Sequence, residues 1–356
     1  MLTLARLTNL CPRFLAAIFW TMAVVASTHA KQPFDPFVVA GVDDASLNSV
    51  CAASPDRVWA VGDRGAIFAT ADGGRKWVRQ ESGTTANLYA VAFKNSTEGC
   101  AVGGLPGALS KTSRSVVLRT VNGGDSWNVV PSEGIPRFTG MRAVGGRLFA
   151  WGDYCPQRKT GIFYSLDDGQ TWQAMESSVS HVAALGSDPS GSVLAVDRVG
   201  NAFNSQLGPL RSFYTASPHQ PIAFVEHVGS TWLAGGAEGQ LIRTVDAQSW
   251  NRVVLPLSPG AQRVCQWRTI AQFEDEIWIS GTPGSIVLHS SDGGVNWDVQ
   301  STEHTLPLRS IVFADRQRGW AVGPLGSILA TRDGGRSWYS QRKTATRVGL
   351  LAVTAF

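Results

Sequence analysis

One phrase recurs along this chain and limits what it can fold into: T-x-D-G-G-x-x-W, or a close variant. It reads TADGGRKW (70–77), TVNGGDSW (120–127), SLDDGQTW (165–172), SSDGGVNW (290–297) and TRDGGRSW (331–338), with a shortened TVDAQSW at 244–250. Successive copies lie roughly 40 to 50 residues apart, the length of a four-stranded propeller blade. Asp167 and Asp246 are 79 residues apart, about two such periods, so a unit with a worn box is expected between them. The segments SVLAVD (192–197) and GNAFNS (200–205) supply its strands, and Leu207 stands at the box aspartate position.

Each unit reads as short strands. In the last one, LRSIVF (308–313), GWAVG (319–323), SILAT (327–331) and the run from Trp338 are β-branched or aromatic stretches bounded by Gly, Pro or Asp. No long helical period separates them, so the strands must pair antiparallel. Four strands in each of seven units predict an all-β fold, a seven-bladed β-propeller of four-stranded antiparallel blades with Asp-box hairpins. The expected organisation is a signal peptide over 1–30 and a single propeller domain over 31–356. Strand-like segments also sit near the ends, FVVA (37–40) and GLLAVTAF (349–356), and one of them is expected to complete or overlap the blade where the chain ends meet.

The box residues read as structural. Asp72, Asp167, Asp246, Asp292 and Asp333 can accept backbone N–H bonds from the turn that follows, and Asn122 can do the same without a charge. Trp77, Trp127, Trp172, Trp250, Trp297 and Trp338 close the boxes, while Trp59, Trp232, Trp278 and Trp320 occupy the second strand. Ten of the twelve tryptophans beyond residue 30 thus fall at two repeat positions, which points to packing between blades rather than to a carbohydrate-stacking platform. G-x-x-G tips at 62–65, 236–239, 281–284 and 323–326 are expected to supply positive φ for tight hairpins. No strand-loop-helix context accompanies them, so a phosphate cradle is not indicated.

Residues 1–30 carry Arg6 and Arg13, no acid, an apolar run over 14–26 and the small-residue exit Thr28-His29-Ala30, the pattern of a secretory signal cleaved near Ala30. Cys11 precedes the apolar run, so lipidation is not expected. Beyond residue 30 the balance is 29 basic against 27 acidic residues, which gives no electrostatic case for nucleic acid. No metal-ligand spacing and no cofactor motif is present. Cys51, Cys100, Cys155 and Cys265 fall in or beside different strands, Cys100 at the position Trp320 holds in its own unit; disulfides and buried free thiols both stay open.

The boxes are Asp-box, or BNR, repeats. Combined with the W-A-V-G strand, as in GWAVGPLGSILATRDGGRSW, they resemble the photosystem II stability and assembly factor family from about residue 37 to 356. The resemblance implies an exported, non-catalytic seven-bladed propeller that helps membrane complexes assemble and uses an arginine-rich patch as its contact surface. It implies a protein partner, either a membrane-complex subunit or an exported protein, with indirect membrane contact, a monomeric state, and a periplasmic or thylakoid-lumen location. The chain departs from the family's cyanobacterial pattern in having no lipobox cysteine after the apolar run.

In a propeller the loops between second and third strands share one face with the blade-to-blade connections, and the Asp boxes sit on the other. Two loops on the first face are enlarged, 103–117 and 153–160, and function tends to be placed in such loops. They carry Lys111, Arg114, Arg158 and Lys159; the connections add Arg137 and Arg263, with Arg142 and Arg268 close to inner strands. These cations form the expected partner-binding surface, arginine being suited to bidentate carboxylate contact. The alternative is a sialidase-like or other glycoside hydrolase, or a carbohydrate-binding propeller. Asp153 and Glu133 are its available carboxylates, but the sialidase F-R-I-P signature is absent and no catalytic residue is assigned.

Overall fold

The computed structural model describes residues 44–105, 113–177, 181–197, 201–206, 208–210 and 221–342. Among them the strands form seven four-stranded sheets, each in simple chain order and antiparallel. Blade 1 runs Leu47–Ala52, Val58–Gly62, Ile67–Thr70 and Val78–Gln80. Blade 7 runs Ser310–Phe313, Gly319–Val322, Ile328–Thr331 and Tyr339–Ser340. The worn unit is blade 4: Val182–Ser187, Val193–Asp197, Ala202–Asn204 and Gly208–Leu210. Leu207 lies outside the described residues.

Burial follows strand position. Second strands such as Val58–Gly62 are buried at every residue, because both faces of the sheet pack against neighbouring blades, while outer strands such as Val78–Gln80 are largely exposed. The core is therefore a set of seams. At the seam of blades 1 and 2, Trp59, Val61 and Ile67 meet Leu88, Val91, Phe93 and Leu118. The Trp59 ring stacks on Phe93 with centroids 3.5 Å apart, and Trp278 stacks on Phe313 at 3.5 Å across blades 6 and 7.

Trp232 breaks the expected pattern. It pairs with Thr244, as Val58 pairs with Thr70, so it sits one residue earlier than Trp59, which pairs with Ala69. One residue turns a strand side chain to the opposite face. Trp232 therefore packs backward, among Ala184, Leu194 and Val196 of blade 4.

The ring closes by packing between the first and last sheets. Trp320, Val322 and Ile328 of blade 7 pack against Val50, Val58 and Phe68 of blade 1, and Leu47 N–H donates to Gly323 O at 2.9 Å. The terminal segments 37–40 and 349–356 lie outside the described residues; the four strands described for blade 7 come from 310–340.

The G-x-x-G tips also work differently from the expectation. Only the last glycine takes positive φ, as at Gly65 (68°). The first is extended, and a Cβ on Gly62 would stand 2.0 Å from Ser46 O. That glycine is required for close approach to the inner strand's start.

Candidate functional site

Each intact box is a closed hydrogen-bond system. In blade 7, Thr331 Oγ1 donates to Asp333 Oδ1 (2.8 Å) and accepts from Gly335 N (2.9 Å), while Asp333 Oδ1 accepts from Ser337 N (2.9 Å). The same bonds recur around Asp72, Asp167 and Asp292. Asn122 reproduces them with its amide oxygen, accepting from Ser126 N at 3.1 Å. The short box keeps Thr244 and Asp246, whose carboxylate accepts from Gln248 N and Ser249 N at 2.8 Å. Backbone donation, from Ser249 N and Asn296 N first, holds Asp246 and Asp292 down to about 2. The carboxylates are occupied as turn caps. Of the box tryptophans, Trp127, Trp172, Trp297 and Trp338 are buried, whereas Trp77 and Trp250 are half-buried.

The opposite face gathers the longer loops. Arg114 opens the third strand of blade 2 (Arg114–Thr120) and is exposed. Arg137 sits beside it: the Cβ site of Gly104 lies 2.1 Å from Arg114 O and 3.0 Å from Arg137 Cγ. Arg137 also pairs with Asp153 at 3.2 Å and lies over the Tyr89 ring at 5.7 Å, so its charge is largely satisfied. Arg158 and Lys159 are exposed at the tip of the neighbouring hairpin, between Arg147–Cys155 and Thr160–Ser165. Between these two blades runs a cleft of about 710 Å³, lined by Arg114, Glu133, Pro136, Tyr154, Pro156 and Gln157 among others.

Two of the expected cations do not join that cluster. Lys111 lies outside the described residues. Arg263 is exposed on the short helix Pro259–Val264 between blades 5 and 6, well around the ring from blades 2 and 3. That helix starts at Ser258, whose hydroxyl caps Ala261 N at 3.3 Å, and its Gln262 bonds back to Gly239 O of the blade 5 tip at 3.0 Å.

A second cationic group lines the central channel. In blades 1 to 6 the inner strand skips one residue in its pairing with the second strand, leaving Asn48, Tyr89, Thr139, Ala183, Ala223 and Arg268 unpaired in the ladder. Such a bulge re-aims a side chain. Blade 7 has Arg309 at the matching place, just before Ser310–Phe313. Asn48, Tyr89, Arg268 and Arg309 line the channel together with Arg142 and Glu226. Arg309 donates to Asn48 Oδ1 at 2.5 Å, and Arg142 of blade 3 forms an ion pair with Glu226 of blade 5. Asn48, Tyr89 and Arg309 were missed in the sequence because the signal is a strand register rather than a motif.

The carboxylates available to a glycosidase are poorly placed: Asp153 is tied to Arg137, and Glu133 stands exposed on the cleft wall. Among the described residues no group of three or more His, Cys, Asp or Glu could hold a metal ion. The four cysteines among the described residues are free; burial pushes the Cys51 thiol up to about 11 and the Cys100 thiol up to about 12.

Comparison with known proteins agrees with this architecture. Residues 21–113 match the family model of the photosynthesis system II assembly factor YCF48, and residues 163–174 match the BNR/Asp-box repeat. The photosystem II assembly protein Ycf48 of Synechococcus sp. (strain JA-2-3B'a(2-13)) is 26% identical over 296 residues, 78% of this chain and 82% of its own. A solved structure of YCF48 bound to D1 peptide superposes with a TM-score of 0.64 at 20% identity, over 85% of this chain and 96% of that one. A GH74 enzyme from Niastella koreensis shares the propeller at TM-score 0.60 and 15% identity, over 83% of this chain and 53% of its own. Family model, relatives and seven four-stranded blades agree: the chain is similar to the photosystem II assembly factor YCF48 in sequence and shares its Asp-box propeller fold.

Proposed function

We propose that this protein is an exported, non-catalytic scaffold that binds a protein partner through its loop face and serves as an assembly or stability factor for a membrane-associated complex. The observation that carries the reading is the similarity, across most of both chains, to a protein named for photosystem II assembly. A fold neighbour with a D1 peptide bound adds that this kind of propeller can hold a polypeptide segment. The partner of the present chain is a membrane-complex subunit or an exported protein, bound by a monomer. Export rests on the signal-like residues 1–30 and on relatives named as lipoproteins. Among the described residues no helix is long and apolar enough to cross a membrane.

The contact surface in this proposal runs from the cleft of blades 2 and 3 to the channel mouth. Arg114 and Arg158 sit there without a carboxylate partner among the described residues, and Arg268 makes only a 3.5 Å contact with Gln266 Oε1. Exposed guanidinium groups beside proline and tyrosine suit an acidic polypeptide. Arg114→Glu combined with Arg158→Glu should weaken capture of the partner from native envelope about tenfold or more, while the melting temperature moves little, as surface charges contribute about 0 to 1 kcal/mol. Equal loss of stability and capture would remove the assignment of this surface. Turnover of glycosides that disappears in Glu133→Gln would replace the scaffold by an enzyme.

A further inference from the structure

The box face holds a pocket that turn capping does not explain. It lies at the closing seam of blades 7 and 1, has a volume of about 270 Å³, and is lined in part by Asp56, Asp72, Arg75, Trp320, Arg332 and Tyr339. Trp320 is only 2% exposed. At the two other seams with this tryptophan, its indole N–H reaches a box glycine of the next blade: Trp59 Nε1 donates to Gly123 O (3.0 Å), and Trp278 Nε1 to Gly334 O (2.9 Å). Gly73 O is the corresponding acceptor in blade 1 and takes Gln341 Nε2 at 3.0 Å, as Gly123 O and Gly334 O take Gln80 and Gln300, but here Trp320 Nε1 is buried without an acceptor. Trp172 and Trp267 also lack one, yet line neither box-face pocket. A desolvated donor lining a cavity favours a ligand that brings an acceptor.

The charge around it points to the class of acceptor. Arg75 and Arg332 are exposed and form no ion pair among the described residues; Arg332 lies over the Tyr339 ring at 5.6 Å. Arg318, on the same wall, is already paired with Asp315 at 2.6 Å. Asp72 is committed to its turn, accepting from Thr70 and Lys76. The pocket continues through Arg318 and Arg332 into a groove of about 670 Å³ that reaches Phe273 and Glu274 of blade 6. A phosphate dianion would set a second negative charge against Asp56 and Asp72, whereas a carboxylate sets one.

We propose that this seam pocket binds a carboxylate side chain of an acidic peptide segment, which makes the box face a second protein-contact surface independent of the loop face. The carboxylate accepts from the Trp320 indole and from Arg75 and Arg332, and the flanking residues lie in the groove toward blade 6.

The test uses the full chain and the peptide acetyl-Glu-Glu-Glu-amide at low ionic strength, with its glutamine analogue as control. Arg75→Gln with Arg332→Gln should weaken the glutamate peptide at least tenfold, since charge-assisted bonds are the strong ones. Trp320→Phe keeps an aromatic ring and removes the N–H; it should weaken binding about tenfold and lower the melting temperature only by the buried volume lost, because no bond is lost within the protein. Trp278→Phe loses the same volume and the bond to Gly334 O as well, so it should lower the melting temperature further while sparing the peptide. The proposal is overturned if the glutamate peptide does not bind at millimolar concentration or the glutamine analogue binds equally. It is equally overturned if inorganic phosphate or anionic phospholipid vesicles compete better than the peptide, if binding is lost only through loop-face arginines, or if Trp320→Phe destabilises like Trp278→Phe.

Discussion

At the scale of single residues, the Asp box turns on one carbonyl-type oxygen. Asn122 supplies that oxygen without a charge and makes the same bonds, so the charge itself is dispensable for the turn geometry. Asp333→Ala removes the oxygen and should cost about 0.5 to 2 kcal/mol, the range for a lost backbone cap, read in denaturant melts. Charge enters through pH. Asp246 and Asp292 titrate at about 2 in the folded chain, below the ordinary aspartate value of about 3.9. A depressed folded value means a contribution that is complete above about pH 4 and lost as pH falls through 2. Denaturation midpoints should therefore drop on acidification across that window, and Asp292→Asn, keeping the acceptor, should flatten the drop. An unchanged slope would show that other carboxylates govern acid unfolding.

At the scale of the blade, the seams show how one repeat tolerates different residues. Phe93 and Phe313 each pair with a glycine, Gly99 or Gly319, while blade 1 has Ala52 opposite Val58 at the same register. A Cβ on Gly99 would come within 2.5 Å of the Phe93 ring, so the large residue and the glycine go together. Phe93→Ala should cost about 3 to 5 kcal/mol through lost stacking on Trp59 and the cavity left behind. Gly99→Val alone should also destabilise, by overpacking. The double substitution copies blade 1 and should recover a clear part of both losses; strictly additive losses would contradict the pairing. Such pairs are legible once the register is known. Trp232 shows the limit, since TWLAGG looks like VWAVG by eye but differs by one residue, and period-two side-chain alternation sends it to the other seam.

At the scale of the whole ring, the fold was legible because each blade repeats the same turn chemistry, and the worn blade 4 could be placed from its neighbours' spacing alone. The candidate surface was only half legible. Arg114 and Arg158 came from loops that interrupt the repeat and Arg137 from a blade-to-blade connection, whereas Asn48 and Tyr89 reach the channel through bulges and Arg309 from the matching place in blade 7, and Arg263 stands apart. One contact belongs to the ring as a unit: Arg142 and Glu226 join the inner strands of blades 3 and 5 on either side of blade 4, their side chains 24% and 13% exposed. Blade 4 has a worn box, and this link spans the two blades that flank it. Arg142→Met should leave Glu226 poorly solvated and unpaired, a loss on the order of 1 to 3 kcal/mol. Adding Glu226→Leu removes the stranded charge and should restore most of that stability, since paired charges of this kind are often replaceable by apolar groups of similar volume. If the link holds blade 4, amide exchange in Val193–Asp197 should quicken in Arg142→Met more than exchange in Gly319–Val322 of blade 7. Equal acceleration in the two strands would mean that the ion pair acts on the global stability of the ring and not on its worn blade.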